Sequence, residues 1–106
     1  MPTNKKNHGT VLITGASSGI GRELALEFGA RATALVLVAR SLDRLEQLRG
    51  QSLGRYSGLK AVVLAADLSD EQEAGRLLTK VFEQASAVDL LVNNAGLGRF
   101  RVVQPR

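Results

Sequence analysis

The chain contains no cysteine, so neither a disulfide framework nor a thiolate metal site is open to it. That absence suits a reducing compartment, and the cytoplasm is the expected location. Histidine occurs once, as His8, in a polar opening segment (residues 1–9) that reads as a loose, solvated arm, so a histidine-based metal site is not expected. No apolar core follows Lys5 and Lys6, which reads against a secretory signal. Repeats, low-complexity tracts, domain linkers and membrane-spanning runs are also missing. The net charge is +4, yet the basic residues are interspersed with acidic ones, as with Arg44 near Asp43 and Glu46, and part of the excess sits at Lys5, Lys6, Arg99, Arg101 and Arg106. Without an aromatic and basic face, neither nucleic acid nor membrane is an expected partner. What remains is ordinary: 106 residues, 44% hydrophobic and 23% charged, fit one small globular domain.

The informative stretch is Thr14-Gly15-Ala16-Ser17-Ser18-Gly19-Ile20-Gly21. Val11-Leu12-Ile13 before it is short and apolar, as a strand buried on both faces should be. Ile20, Leu24 and Phe28 after it recur at four-residue spacing and define one side of a helix that could pack on that strand. Gly15, Gly19 and Gly21 remove Cβ atoms that would keep a diphosphate from the backbone N–H groups, and Ser17 and Ser18 add hydroxyl donors. A methyl group at Gly19 or Gly21 is therefore expected to fill space that an anion needs. A tight strand-to-helix connection without a ligand is the alternative reading.

Further along, Ala34–Ala39 reads as a second buried strand, and Leu42, Leu45 and Leu48 mark a short helix expected to stop at Gly50. Residues 51–58 then read as a loop holding Tyr56, the only tyrosine. Ala61–Ala65 is a third strand with Asp67 at its carboxyl end. Ser69 and Gln72 resemble a capping box for a helix whose apolar face pairs Leu77 with Val81 and Leu78 with Phe82. Val88–Val92 is the fourth strand, ending in Asn93-Asn94-Ala95-Gly96. Alternating strands and helices predict an α/β fold, Rossmann-like and three-layered, with a parallel sheet in the order 3-2-1-4. In that order the glycine turn, Arg40, Asp67 and Asn94 all follow strand ends on one rim, where such sheets bind ligands.

Two separated motifs, Thr14 to Gly21 and Asn93 to Gly96, together with Asp67-Leu68, resemble the amino-terminal part of a short-chain dehydrogenase/reductase. The resemblance runs from about Thr10 to about Phe100, so residues 10–100 are expected to form a nicotinamide-cofactor-binding half and 101–106 a divergent tail. It implies that Gly15, Ser17, Ser18, Ile20 and Gly21 line the cofactor diphosphate. Asp67 and Leu68 would hold the adenine, and Asn94, Ala95 and Gly96 would border the adenosine ribose and brace the central strands; a plain loop aspartate and a structural turn asparagine are the alternatives for Asp67 and Asn94. Enzymes that use NAD place an acid about twenty positions beyond the glycine turn, whereas a 2′-phosphate needs a cation there. The chain has Arg40 at that place, and Arg22 on the same rim, which favours NADP over NAD.

The family's catalytic tyrosine, the lysine four residues after it and the carbonyl-polarising serine lie beyond the fourth strand, so no catalytic residue is assigned in this chain. Tyr56 and Lys60 have the right spacing in the wrong place. The expected function is thus the NADP-binding portion of an oxidoreductase acting on a carbonyl or alcohol, inactive alone. The alternative is a non-catalytic nucleotide-binding or interaction module, associating with itself or another chain through an open fourth-strand edge, where no fifth strand is expected.

Overall fold

The computed structural model describes residues 8–17, 19–84 and 87–94 and the backbone of 101–103. Strands β1 (Gly9–Thr14), β2 (Ala32–Ala39), β3 (Lys60–Ala65) and β4 (Leu90–Asn93) alternate with helices α1 (Gly19–Phe28), α2 (Leu42–Arg55) and α3 (Glu71–Gln84). β1 lies between β2 and β4, β2 pairs with β3, and all three pairings are parallel, giving the expected order 3-2-1-4.

The apolar runs are continuous because both faces of each strand are covered. On one face Val11 and Ile13 of β1, Leu35 and Leu37 of β2, and Leu90 and Val92 of β4 pack with Ala25 and Leu26 of α1 and Leu45 and Leu48 of α2. On the other, Leu12, Val36 and Val38 pack with Leu77 and Val81 of α3. Two helices on one side and the third on the other is what right-handed crossovers require when the chain reverses direction after β3. Full burial of a Leu or Val side chain contributes about 1.5–3 kcal/mol, so Leu37 and Val38, adjacent and pointing to opposite faces, each hold a different layer.

Several local expectations are corrected. α2 does not stop at Gly50 but runs through Gly54 to Arg55, because no tertiary contact interrupts it and its buried stripe continues from Leu45 and Leu48 to Ser52. Tyr56 caps that helix; its hydroxyl donates to the Leu26 carbonyl at 2.7 Å, and its ring lies over Gly29, tying the end of α2 to the end of α1. On α1 the buried positions are Gly21, Ala25 and Leu26, while Leu24 and Phe28 are half-buried and Ile20 is exposed. On α3 only Leu77 and Val81 are buried; Leu78 and Phe82 face outward. His8 is not a free arm residue: its N–H donates to the Arg31 carbonyl at 3.2 Å and its ring meets Phe28 edge-on at 5.6 Å.

The fourth-strand edge also differs from expectation. Arg101–Val103, from the segment read as a tail, forms a short strand β5 antiparallel to β4 and pairs with Leu91–Asn93. Val102 and Val103 suit extended backbone, and the pairing gives partners to N–H and C=O groups that a bare edge would leave unpaired.

Ser52 is fully buried, and among the described residues its hydroxyl has no hydrogen-bond partner. An unsatisfied buried hydroxyl costs about 1–3 kcal/mol, and alanine raises helix propensity at the same position. Ser52→Ala is expected to stabilise the chain by about 1 kcal/mol, read as a higher urea midpoint at unchanged slope; a lower midpoint would show that the hydroxyl has a partner after all.

Candidate functional site

The site forms at the carboxyl ends of the strands. After Thr14 the chain turns at Gly15, whose φ of +66° lies in the left-handed region, and Ala16 N donates to the Val38 carbonyl at 3.1 Å, fastening the turn to β2. α1 then begins at Gly19, with φ of +21°. Among the described residues, a Cβ at Gly19 would meet no heavy atom within 4 Å. No acidic residue occupies the first turn of α1, whereas α2 carries Asp43 there and α3 carries Glu71 and Glu73. Its free N–H groups and the positive end of its dipole therefore have no carboxylate of their own and fit an anionic group.

Gly21, expected to line the diphosphate, also has a packing role. A Cβ there would run into the Gly15 carbonyl oxygen and lie 2.6 Å from Asn94 Nδ2, so its missing side chain lets α1 close onto the turn and onto β4. Asn94 is buried, and its Nδ2 donates to the Gly15 carbonyl at 3.3 Å. The Thr14 hydroxyl donates to Asn93 Oδ1 at 2.9 Å and accepts from Asn94 N at 3.0 Å. These bonds lock the ends of β1 and β4 together at the point where the sheet's direction reverses. Ser17 sits in the turn, and Ser18, Ala95 and Gly96 lie outside the described residues.

Across the rim, Arg40 follows β2, is exposed, and acts electrostatically on Asp67, which follows β3. Asp67 Oδ1 accepts from Ser69 Oγ at 2.7 Å and from Ser69 N at 3.0 Å. The Ser69 hydroxyl, then the Ser69 amide, hold the Asp67 carboxyl below the usual carboxylate value; slight desolvation opposes them and the Arg40 charge assists. Ser69 is consequently not the cap of α3. Asp70 is, its Oδ1 accepting from Gln72 N at 2.9 Å and Glu73 N at 3.2 Å, while Glu73 Oε1 reaches past it to accept from Asp67 N at 2.8 Å. Leu68 stands beside Asp67, half-buried against the α3 layer. Arg22 turns toward α2, donating to Gln51 Oε1 at 2.7 Å with Glu23 at 3.6 Å.

Sequence reasoning placed the glycine turn, Arg40, Asp67 and Asn94 on one rim, and the structure brings them to the ends of adjacent strands. It missed Gln51 as the partner of Arg22, Thr14 as that of Asn94 and Glu73 as that of Asp67, and gave Ser69 the wrong one. Only Ser69 had a local signal, since a serine two residues after an aspartate can close a side-chain turn as readily as it can cap. Among the described residues no group of three or more His, Cys, Asp or Glu could hold a metal, and no helix is long and apolar enough to cross a membrane.

A parallel sheet reversing direction beside a glycine turn, with a helix amino terminus over it, defines the class of Rossmann-like dinucleotide-binding folds. The family model for short chain dehydrogenases matches residues 9–105, and the chain belongs to that family, whose members bind a nicotinamide cofactor. It is 46% identical over 89 residues to an 11-beta-hydroxysteroid dehydrogenase of Pinus massoniana, a match that takes in 83% of this chain and 24% of the relative. An NADPH-dependent reductase of Bacillus subtilis (BacG) is 33% identical over 85 residues, covering 80% of this chain and 33% of the relative. The L-sorbose reductase of Gluconobacter frateurii, solved with NADPH and L-sorbose, superposes with a TM-score of 0.79 at 32% identity, over 90% of this chain and 36% of that one. The chain thus spans about a quarter to just over a third of the length of these relatives.

Proposed function

We propose that the chain is the NADP-binding portion of a short-chain dehydrogenase/reductase acting on a carbonyl or alcohol, and that the 106-residue polypeptide by itself does not catalyse. Residues 10–100 form the binding half in this proposal, and its setting is the cytoplasm. The observation that carries the cofactor choice is Arg40, an exposed cation directly after β2, where an NAD-binding site would hold a carboxylate for the ribose hydroxyls. Two relatives named or solved with NADPH support it.

In this reading the turn from Gly15 to Gly19 and the first N–H groups of α1 bind the diphosphate, with Ser17, Ser18 and Ile20 around it. Arg40 grips the 2′-phosphate, Asp67 and Leu68 take the adenine, and Ala95 and Gly96 border the ribose. Arg22 contributes only by leaving Gln51 and Glu23, and Gly21 and Asn94 act by holding the turn closed. The cofactor, when bound, supplies or accepts the hydride. Association through the fourth-strand edge, the alternative function, is not favoured, because β5 already pairs with Leu91–Asn93.

The test is fluorescence titration with the reduced dinucleotides. NADPH is expected to bind more tightly than NADH, and Arg40→Asp should shift the ratio by about 10- to 100-fold toward NADH, the worth of one or two charge-assisted hydrogen bonds. Equal affinity of the unmodified chain for both would remove the NADP assignment and leave only a nicotinamide-cofactor site.

A further inference from the structure

The Asp67 carboxylate is the acceptor that the cofactor reading assigns to the adenine amino group, and the role inferred for its neighbours rests on that reading. Its two oxygens are not equivalent. Oδ1 takes both hydrogen bonds from Ser69, whereas Oδ2 receives none among the described residues. The backbone of Asp67 is fixed as well: its N–H donates to Glu73 Oε1 at 2.8 Å and its carbonyl accepts from Asp70 N at 3.1 Å.

Neither Ser69 nor Glu73 is spent in this way for the sake of α3. Asp70 alone caps the helix through the amides of Gln72 and Glu73. Glu73, at the position from which a capping-box glutamate would bond the cap residue's own amide, bypasses Asp70 and bonds the amide of Asp67. Two side chains therefore converge on one half-buried aspartate and leave a single carboxylate oxygen available. A freely rotating carboxylate would lose rotational freedom on accepting a hydrogen bond; this one has already lost it.

We propose that Ser69 and Glu73 are positioning residues for base recognition, holding Asp67 so that one carboxylate oxygen stays open to an exocyclic amino group and the site selects adenine over a 6-oxo purine. A 6-oxo purine presents a carbonyl oxygen where adenine presents its amino group, and two acceptors repel. The depressed pKa of Asp67 agrees with this, since the carboxylate stays ionised, and acceptor-only, at neutral pH.

The experiment compares NADPH with reduced nicotinamide hypoxanthine dinucleotide phosphate, which carries a carbonyl oxygen in place of the exocyclic amino group and a proton on the adjacent N1, by fluorescence titration. The unmodified chain should favour NADPH by about tenfold or more. Ser69→Ala should lose about 5- to 10-fold in NADPH affinity while the hypoxanthine dinucleotide changes by less than about twofold, and Ser69→Thr should restore the NADPH value. Glu73→Ala against Glu73→Gln makes the same comparison should Ser69→Ala fail to fold. Equal loss for both dinucleotides in the alanine variants would reduce Ser69 and Glu73 to turn stabilisers and overturn the proposal. Equal affinity of the unmodified chain for both bases would also overturn it, with the cofactor site left intact. Failure to bind NADPH at all would instead bring down the cofactor reading, and the positioning role with it.

Discussion

Gly21→Ala is expected to cost about 3 kcal/mol of stability, a large share of the roughly 5–15 kcal/mol that holds a typical domain folded. The added methyl would collide with the Gly15 carbonyl oxygen and sit 2.8 Å from the carbonyl carbon, and neither backbone atom can swing aside as the end of a flexible side chain could. To make room, α1 must move off the turn, and the Asn94 bond to that same carbonyl goes with it. Cofactor affinity should fall together with stability. Gly50→Ala serves as the control: among the described residues a Cβ there meets nothing within 4 Å, and helix propensity alone should add up to about 1 kcal/mol. Urea denaturation of both variants reads the contrast in sign. An unchanged midpoint for Gly21→Ala would mean that the close approach of α1 to Gly15 does not hold the turn.

The 106-residue chain, given NADPH and a panel of aldehydes, ketones and quinones, is expected to oxidise the cofactor no faster than buffer does. A carbonyl oxygen that accepts a hydride becomes an alkoxide, which needs a proton donor and hydrogen bonds already in place. General acid catalysis is worth about 10²–10⁴ in rate, and positioning of the reactants often more. Tyr56, the only tyrosine, has its hydroxyl engaged by the Leu26 carbonyl. Lys60, four residues on, opens β3, whereas the proposed cofactor rim lies at the other end of that strand, roughly 16 Å away at the usual rise per residue. The pair therefore stands at the wrong end of the sheet. Turnover above background that vanishes in a folded Tyr56→Phe variant would reverse this conclusion and make the tyrosine a catalyst.

The sequence by itself determined the layer order, the strand order and the rim on which the site lies. Continuous apolar runs identify strands buried on both faces, and the parallel, right-handed connection rules leave few ways to arrange them. It also determined the sign of the charge after β2, because Arg40 needs no folding partner to be a cation. Tertiary structure alone decided which glycine does what. Gly19 and Gly21 are indistinguishable as letters, yet among the described residues a Cβ on one meets nothing within 4 Å and on the other a carbonyl from six residues earlier and an amide that follows β4. It decided that Gly50 does not end α2, since a glycine in a helix weakens but does not forbid it when Ser52 and the leucines before it are buried on one stripe. It decided that Ser69 serves Asp67 and Asp70 serves α3, a choice between two short polar side chains that either could fill locally. And it decided that β5 lies on β4, since strand pairing joins backbone groups whose separation along the chain leaves no periodic mark in the residues themselves.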